Sequence, residues 1–224
     1  MSAKRRVSPS EITAPGLANT RDRILDVAEA LFAARGYAGT AVRDIAVAAE
    51  LTPASPYNHF DGKQALYEAV LERGVRPILE MLGALRADPT DARVIDAMIE
   101  SIMSHLAAHP HIPGLVQQET ITGGTALANL ARAWIRPLIE QGMIGLKEDA
   151  GSPWTEDEYP NMMFAWLHLV FGYFSMAPMM HEVMDSDPLA EEAIARQTRF
   201  LLKLVGVMKA GRGAFPQERE RRQP

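Results

Sequence analysis

The chain has 224 residues, 47% of them hydrophobic and 23% charged, a net charge of −5 and no cysteine. That length supports one or two domains with a sizeable core, and the balance is that of a soluble globular protein. The composition excludes a disulfide scaffold and thiolate chemistry, and it fits a reducing cytoplasm. A net acidic surface argues against nonspecific nucleic-acid binding by the whole molecule.

Charge is uneven along the chain. Through Leu66 there are eight Lys and Arg against seven acids, a net of +1, which leaves −6 for the remainder. Residues 1–19 mix Ser, Pro and Gly with Lys4, Arg5 and Arg6 and read as a disordered arm. The arm is either a plain terminus or an extra phosphate or minor-groove contact. No apolar stretch follows its cations, so it is not a secretory signal.

Thr20 is placed to cap a first helix whose apolar face is Ile24, Val27, Ala28, Leu31 and Phe32. Gly36 ends it in the C′ position. Thr40 is the expected N-cap of a second helix bearing Val42, Ile45, Ala46 and Ala49. Leu51 interrupts that period. Thr52-Pro53 then restarts it, as N-cap and first helical residue. The resulting helix, Pro53 to His59, is about two turns long and exposes Ser55, Tyr57, Asn58 and His59. A helix this short depends on packing, and its pairing with the preceding helix has the layout of a helix-turn-helix.

Asp61-Gly62 makes a turn, and Lys63 opens a long helix to about Leu85, with a kink expected at Pro77. A second long helix runs from Val94 to Leu106 and stops at His109-Pro110. A short helix, Leu115 to Ile121, ends at Gly123-Gly124. Thr125 caps the next, which Pro137 interrupts and which frays at Gly142 and Gly145. Residues 155–158, TEDE, form a capping box. The run from Met162 to Met180 lacks charge. A membrane span is rejected there, because His168 and Pro178 lie inside the run and acids flank both ends. Such a helix is buried over most of its circumference, one face against its own domain and the other against a partner chain. Asp187-Pro188 starts the last helix, to about Met208, and Gly211 ends it. With no period-two pattern, the fold class is all-α. The expected organisation is an arm (1–19), a helix-turn-helix domain (20–66), a helical body (67–211) and a disordered tail (212–224).

The segment Leu51 to Leu66, LTPASPYNHFDGKQAL, resembles the recognition-helix signature of the TetR (tetracycline-repressor) family. Tyr57, His59, Phe60, Lys63 and Leu66 carry the match. The run Thr40 to Ala49, with its Ile45-Ala46 pair, is similar to the helix before it. Similarity covers roughly residues 20 to 68. Glu50 stands where the family usually has Gly, and Pro56 where an aliphatic residue is commoner. The resemblance implies a three-helix DNA-binding domain followed by a larger ligand-binding and dimerisation domain. It implies a homodimeric repressor of double-stranded operator DNA, released by a small apolar ligand, without enzymatic activity, catalytic residues or cofactor. DNA contacts are expected from Thr40, Arg43, Thr52, Pro53, Ala54, Ser55, Tyr57, Asn58, His59 and Lys63. Of these, Arg43 matches a base-reading position, and Tyr57, His59 and Lys63 match phosphate contacts.

Met81, Met98, Ile102, His105, Trp134, Leu138, Met163 and Trp166 are candidates for the ligand pocket, because pliable Met-rich walls suit varied apolar shapes. The same residues serve equally well as plain core. Trp166, Val170, Phe174, Gln197, Phe200, Leu201 and Leu204 form the expected dimer seam. The rival reading is a metal-dependent enzyme or metal-responsive protein built on His105, His109 and His111. No acid stands near them, and no phosphate loop or nucleophile motif accompanies them, so no metal is expected.

Overall fold

The computed structural model describes residues 15–83, 91–124, 126–148 and 154–210. The arm before Pro15 and the tail from Gly211 lie outside the described residues, as does Thr125. Among the described residues all regular structure is helical, and the chain divides into two compact units after Val70.

The first unit holds α1 (Pro15–Gly39), α2 (Val42–Ala48), a 3₁₀ turn (Ser55–Asn58) and the start of α3 (Lys63–Gly83). Helix α1 begins at Pro15 rather than after Thr20. Proline suits a first helical position, because its missing N–H has no intrahelical partner there. Regular helix stops at Gly36, whose φ of 70° and ψ of 170° suit glycine alone. Ile24, Leu25, Ala28 and Phe32 of α1 form the core with Ile45 and Ala46 of α2 and with Leu66, Tyr67 and Val70 of α3. Two rings at its heart, Phe32 and Tyr67, meet edge to face at 4.8 Å.

The second unit holds the rest of α3 and α4 (Ala92–Ala108), α5 (Ile112–Thr122), α6 (Leu127–Leu130), α7 (Arg136–Glu148), α8 (Tyr159–Ser175), α9 (Ala177–Met184) and α10 (Glu191–Ala210). Helix α8 is central and packs on α4, α5, α7 and α9, while α10 packs on α4. Local signals place several boundaries. The Asp91 carboxylate accepts the Arg93 N–H at 2.8 Å and starts α4. Gly123, left-handed at φ 59°, closes α5. Between α6 and α7 the chain widens into a π turn, Ala131–Ile135. Pro137, just beyond it, has no N–H to bond back, and the wider turn relieves the clash its ring would cause.

The expected fraying at Gly142 is corrected. Helix α7 continues to Glu148, and a Cβ at Gly142 would overlap the Met163 side chain, so this glycine lets α7 approach α8 closely. The Glu158 carboxylate accepts the Thr155 N–H at 2.8 Å, which is the expected capping contact ahead of α8. The uncharged run is broken at Met176. There α8 and α9 bend by 61°, and no single described helix is long and apolar enough to cross a membrane. Pro178 accounts for the break, since it cannot donate to the Phe174 carbonyl. The Tyr173 hydroxyl donates to the Pro188 carbonyl at 2.6 Å and ties α8 to the start of the last helix. Burial raises the pKa of this phenol, opposed by Arg196 and reinforced by Asp187, so it stays a donor through neutral pH.

Helices α3, α4 and α5 converge at Gly74. Its carbonyl faces the His105 Nε2 at 2.9 Å, and a Cβ there would overlap Ile112. Gly74→Val is therefore expected to lower stability by about 1–3 kcal/mol through overpacking. A urea midpoint equal to that of the parent would show that Ile112 yields without cost.

Candidate nucleic-acid interface

The interface is built where α2 ends. Glu50 is left-handed at φ 56°, its N–H bonds the Val47 carbonyl at 3.0 Å, and the Leu51 N–H bonds the Ala46 carbonyl at 2.9 Å. This is a Schellman closure, which glycine normally makes at lower cost. Glu50 keeps that backbone despite the roughly 1–2 kcal/mol that a side chain adds in the left-handed region.

The helix expected over Pro53 to His59 is corrected to a turn followed by the 3₁₀ segment Ser55–Asn58. The hydrogen bonds show why. Ser55 N–H bonds Thr52 O at 2.9 Å, Tyr57 N–H bonds Ala54 O at 3.1 Å, and His59 N–H bonds Pro56 O at 3.1 Å. All three span three residues. Pro53 and Pro56 remove donors that an α-helical turn would use, and the tighter bonds close the segment instead. Thr52 is not the side-chain cap; Ala54 holds the cap position. Pro56 is buried and anchors the turn to the core.

Of the residues expected to meet DNA, Arg43, Thr52, Pro53, Ala54, Tyr57 and Asn58 are exposed, Tyr57 by 59%. Ser55, His59 and Lys63 are half-buried. Thr40 is corrected on two counts. It is only 1% exposed, and its hydroxyl donates back to the Leu31 and Gly36 carbonyls at 3.1 and 2.9 Å. Ala41, not Thr40, is the N-cap of α2. The Thr40 hydroxyl is therefore turned back onto the end of α1, and its side chain is buried rather than presented at the surface.

An open groove of about 660 Å³ brings Thr20, Arg21 and Asp22 of α1 together with Leu51, Ser55, Asn58 and His59. It offers hydroxyl, amide, imidazole and guanidinium donors of the kind that hold a phosphate, with Asp22 as an opposing carboxylate. The Arg21 guanidinium lies 5.1 Å over the Phe60 ring. Arg21 was not legible as a site residue, because only the packing of α1 brings it beside the turn. The second held cation is Lys63, whose Nζ lies 4.4 Å over the Tyr37 ring and donates to the Ala38 carbonyl at 3.4 Å.

In the second unit, the pocket candidates Ile102 and Leu138 are buried, while Met81, Met98, His105, Trp134, Met163 and Trp166 are half-buried. Of the expected seam, Phe174 and Leu201 are corrected, because both are buried within the chain's own core. Trp166, Val170, Gln197 and Leu204 are half-buried. Phe200 is 52% exposed and Val207 59%, with Phe164 and Leu169 also exposed on α8. The rings of His105 and His109 lie 5.0 Å apart, but the His105 Nε2 is engaged by the Gly74 carbonyl. Among the described residues no three His, Cys, Asp or Glu side chains group as a metal site.

Residues 24–70 match the family described as bacterial regulatory proteins, tetR family. The HTH-type transcriptional repressor KstR2 of Rhodococcus jostii is 30% identical over 105 residues, 46% of this chain and 52% of that protein. The negative transcriptional regulator IcaR of the Staphylococcus aureus biofilm operon icaADBC is 46% identical over 48 residues, 21% of this chain and 26% of its own. The chain thus spans about half the length, or less, of the curated relatives it matches. A solved putative fatty acid metabolism regulator from Clostridium perfringens superposes with a TM-score of 0.62. It is 20% identical, and the match covers 81% of this chain and 97% of that one, a likeness of fold alone.

Proposed function

We infer from the match of residues 24–70 to the tetR family of bacterial regulatory proteins that the chain is a sequence-specific transcriptional repressor acting as a homodimer on double-stranded operator DNA. The observation that carries the reading is the groove in which Arg21 of α1 stands beside Ser55, Asn58 and His59 of the turn. One cation, Arg21, placed with neutral donors suits a phosphate, while exposed Arg43 has the reach to bond a base edge. KstR2 is a transcriptional repressor and IcaR a negative transcriptional regulator, and repression is carried to this chain on that likeness.

Release by a small apolar ligand completes the reading. The half-buried Met81, Met98, Met163, Trp134 and Trp166 supply adaptable apolar walls in the second unit. Ligand and DNA then favour different members of one conformational equilibrium, so each lowers the affinity for the other by the same factor.

Selection from a randomised duplex pool tests the function directly. Enrichment of a two-fold symmetric motif is the expected result, and a pool that stays random would overturn the reading. Against that motif, Arg43→Ala is expected to relax the preference at one base pair of each half-site by about 1–3 kcal/mol. An unchanged profile over all single-base variants would remove Arg43 from base reading.

A further inference from the structure

Lys63 reaches its position through two contacts that ordinary helix-opening lysines lack. Its ammonium sits over the face of Tyr37, 4.4 Å from the ring centre, and donates to the Ala38 carbonyl at 3.4 Å. The ring itself is held. It stacks on Phe32 at 6.1 Å and meets Tyr67 at 5.0 Å, and both of those rings are fully buried. Gly36, just before it, turns the backbone out of the helical path. Among the described residues no carboxylate pairs with Lys63.

We propose that Tyr37 is a positioning residue for DNA binding, holding the Lys63 ammonium on its ring where that ammonium meets a backbone phosphate. The proposal rests on the DNA-binding reading above. Its physical content is preorganisation. A free lysine side chain loses roughly 2 kcal/mol of rotamer freedom when it is fixed. Here the ring and the carbonyl fix it during folding, so little is left to lose when a phosphate arrives. An ammonium carries three donors in all. One is taken by Ala38, and a ring face attracts charge without accepting a conventional hydrogen bond, so donors remain for an anion. The first backbone bond of α3 is Leu66 N–H to Gly62 O, at 3.1 Å. The amides of Lys63, Gln64 and Ala65 lie ahead of it, and the positive end of the helix adds to the same local field. The Tyr37 hydroxyl plays no part; the ring face is what matters.

A double-mutant cycle on the full chain tests this, using fluorescence anisotropy with a random-sequence duplex over a range of salt. Phosphate contacts are sequence-independent, so no operator is required. Lys63→Ala should weaken binding and lower the salt slope by about one unit per site contacted. Tyr37→Leu should weaken binding about two- to fivefold while Lys63 is present, and should have no further effect on the Lys63→Ala protein. Tyr37→Phe should bind as the parent does. Thermal unfolding of each variant is measured alongside, and Tyr37→Met replaces Tyr37→Leu if the latter does not fold. Equal weakening in both backgrounds, or none in either, would overturn the proposal and leave DNA binding standing. A parent protein that holds no duplex even at low salt would overturn the DNA-binding reading itself.

Discussion

Phe200→Glu is expected to yield a folded monomer that no longer holds its operator. Phe200 is 52% exposed on α10, with Val207 59% exposed two turns on, and α8 exposes Phe164 and Leu169. Exposed large apolar side chains such as Phe200 and Val207, which share one face of α10, suit the homodimer seam proposed above. In that proposed homodimer, α8 and α10 pair with their symmetry mates in a four-helix seam about a two-fold axis. An aromatic residue at such a seam contributes about 2–4 kcal/mol, and the glutamate would add an unpaired carboxylate in its place. Loss of the pair removes operator affinity because one reading head spans too few bases. Two heads about 34–36 Å apart, on successive major grooves, are needed. Phe200 is a cleaner probe than Leu204, which is half-buried within its own chain. A glutamate at Leu204 would mix folding with assembly. Sedimentation velocity and operator titration check the expectation, with the far-ultraviolet spectrum as the control for folding. A variant that still sediments as a dimer with parental affinity would place the seam elsewhere.

Gly36→Ala is expected to destabilise the first unit by about 1–3 kcal/mol. The cause is backbone strain rather than crowding. A Cβ built at Gly36 meets nothing within 4 Å, yet φ 70° with ψ 170° lies in a region open in practice only to glycine. Gly36→Ser should therefore cost about as much as Gly36→Ala, whereas a steric effect would grow with side-chain size. Against a total stability of about 5–15 kcal/mol the loss is large. The same residue offers the carbonyl that the Thr40 hydroxyl bonds at 2.9 Å, so α1 and the start of α2 are coupled through it. Urea unfolding reads the result as a lower midpoint with an unchanged slope. An alanine variant with the parental midpoint would show that the chain finds another path between α1 and α2.

The sequence by itself determined which segments are helical and where several of them stop. Gly36, Asp61-Gly62 and Gly123 mark chain reversals, and at each the glycine has a positive φ. These signals are legible because a missing side chain acts on the backbone within a few residues of itself. The signature from Leu51 to Leu66 is legible for a related reason, as residue types at fixed spacing within one segment. Other decisions belong to the tertiary structure. Thr40 has the chemistry of a cap, but its hydroxyl turns inward to the Leu31 and Gly36 carbonyls. Two prolines were visible in the turn, but the 3₁₀ segment in place of the expected helix, and the burial of Pro56, appear only in the structure. Arg21 stands some thirty residues before the turn whose groove it lines, a proximity that no local pattern encodes. An uncharged helix such as α8 shows the limit most clearly. Periodicity sets the angle between one side chain and the next, but not the rotation of the helix against its neighbours. When nearly every position is apolar, only packing on α4, α5 and α7 decides that Phe174 points inward while Phe164 and Leu169 face out.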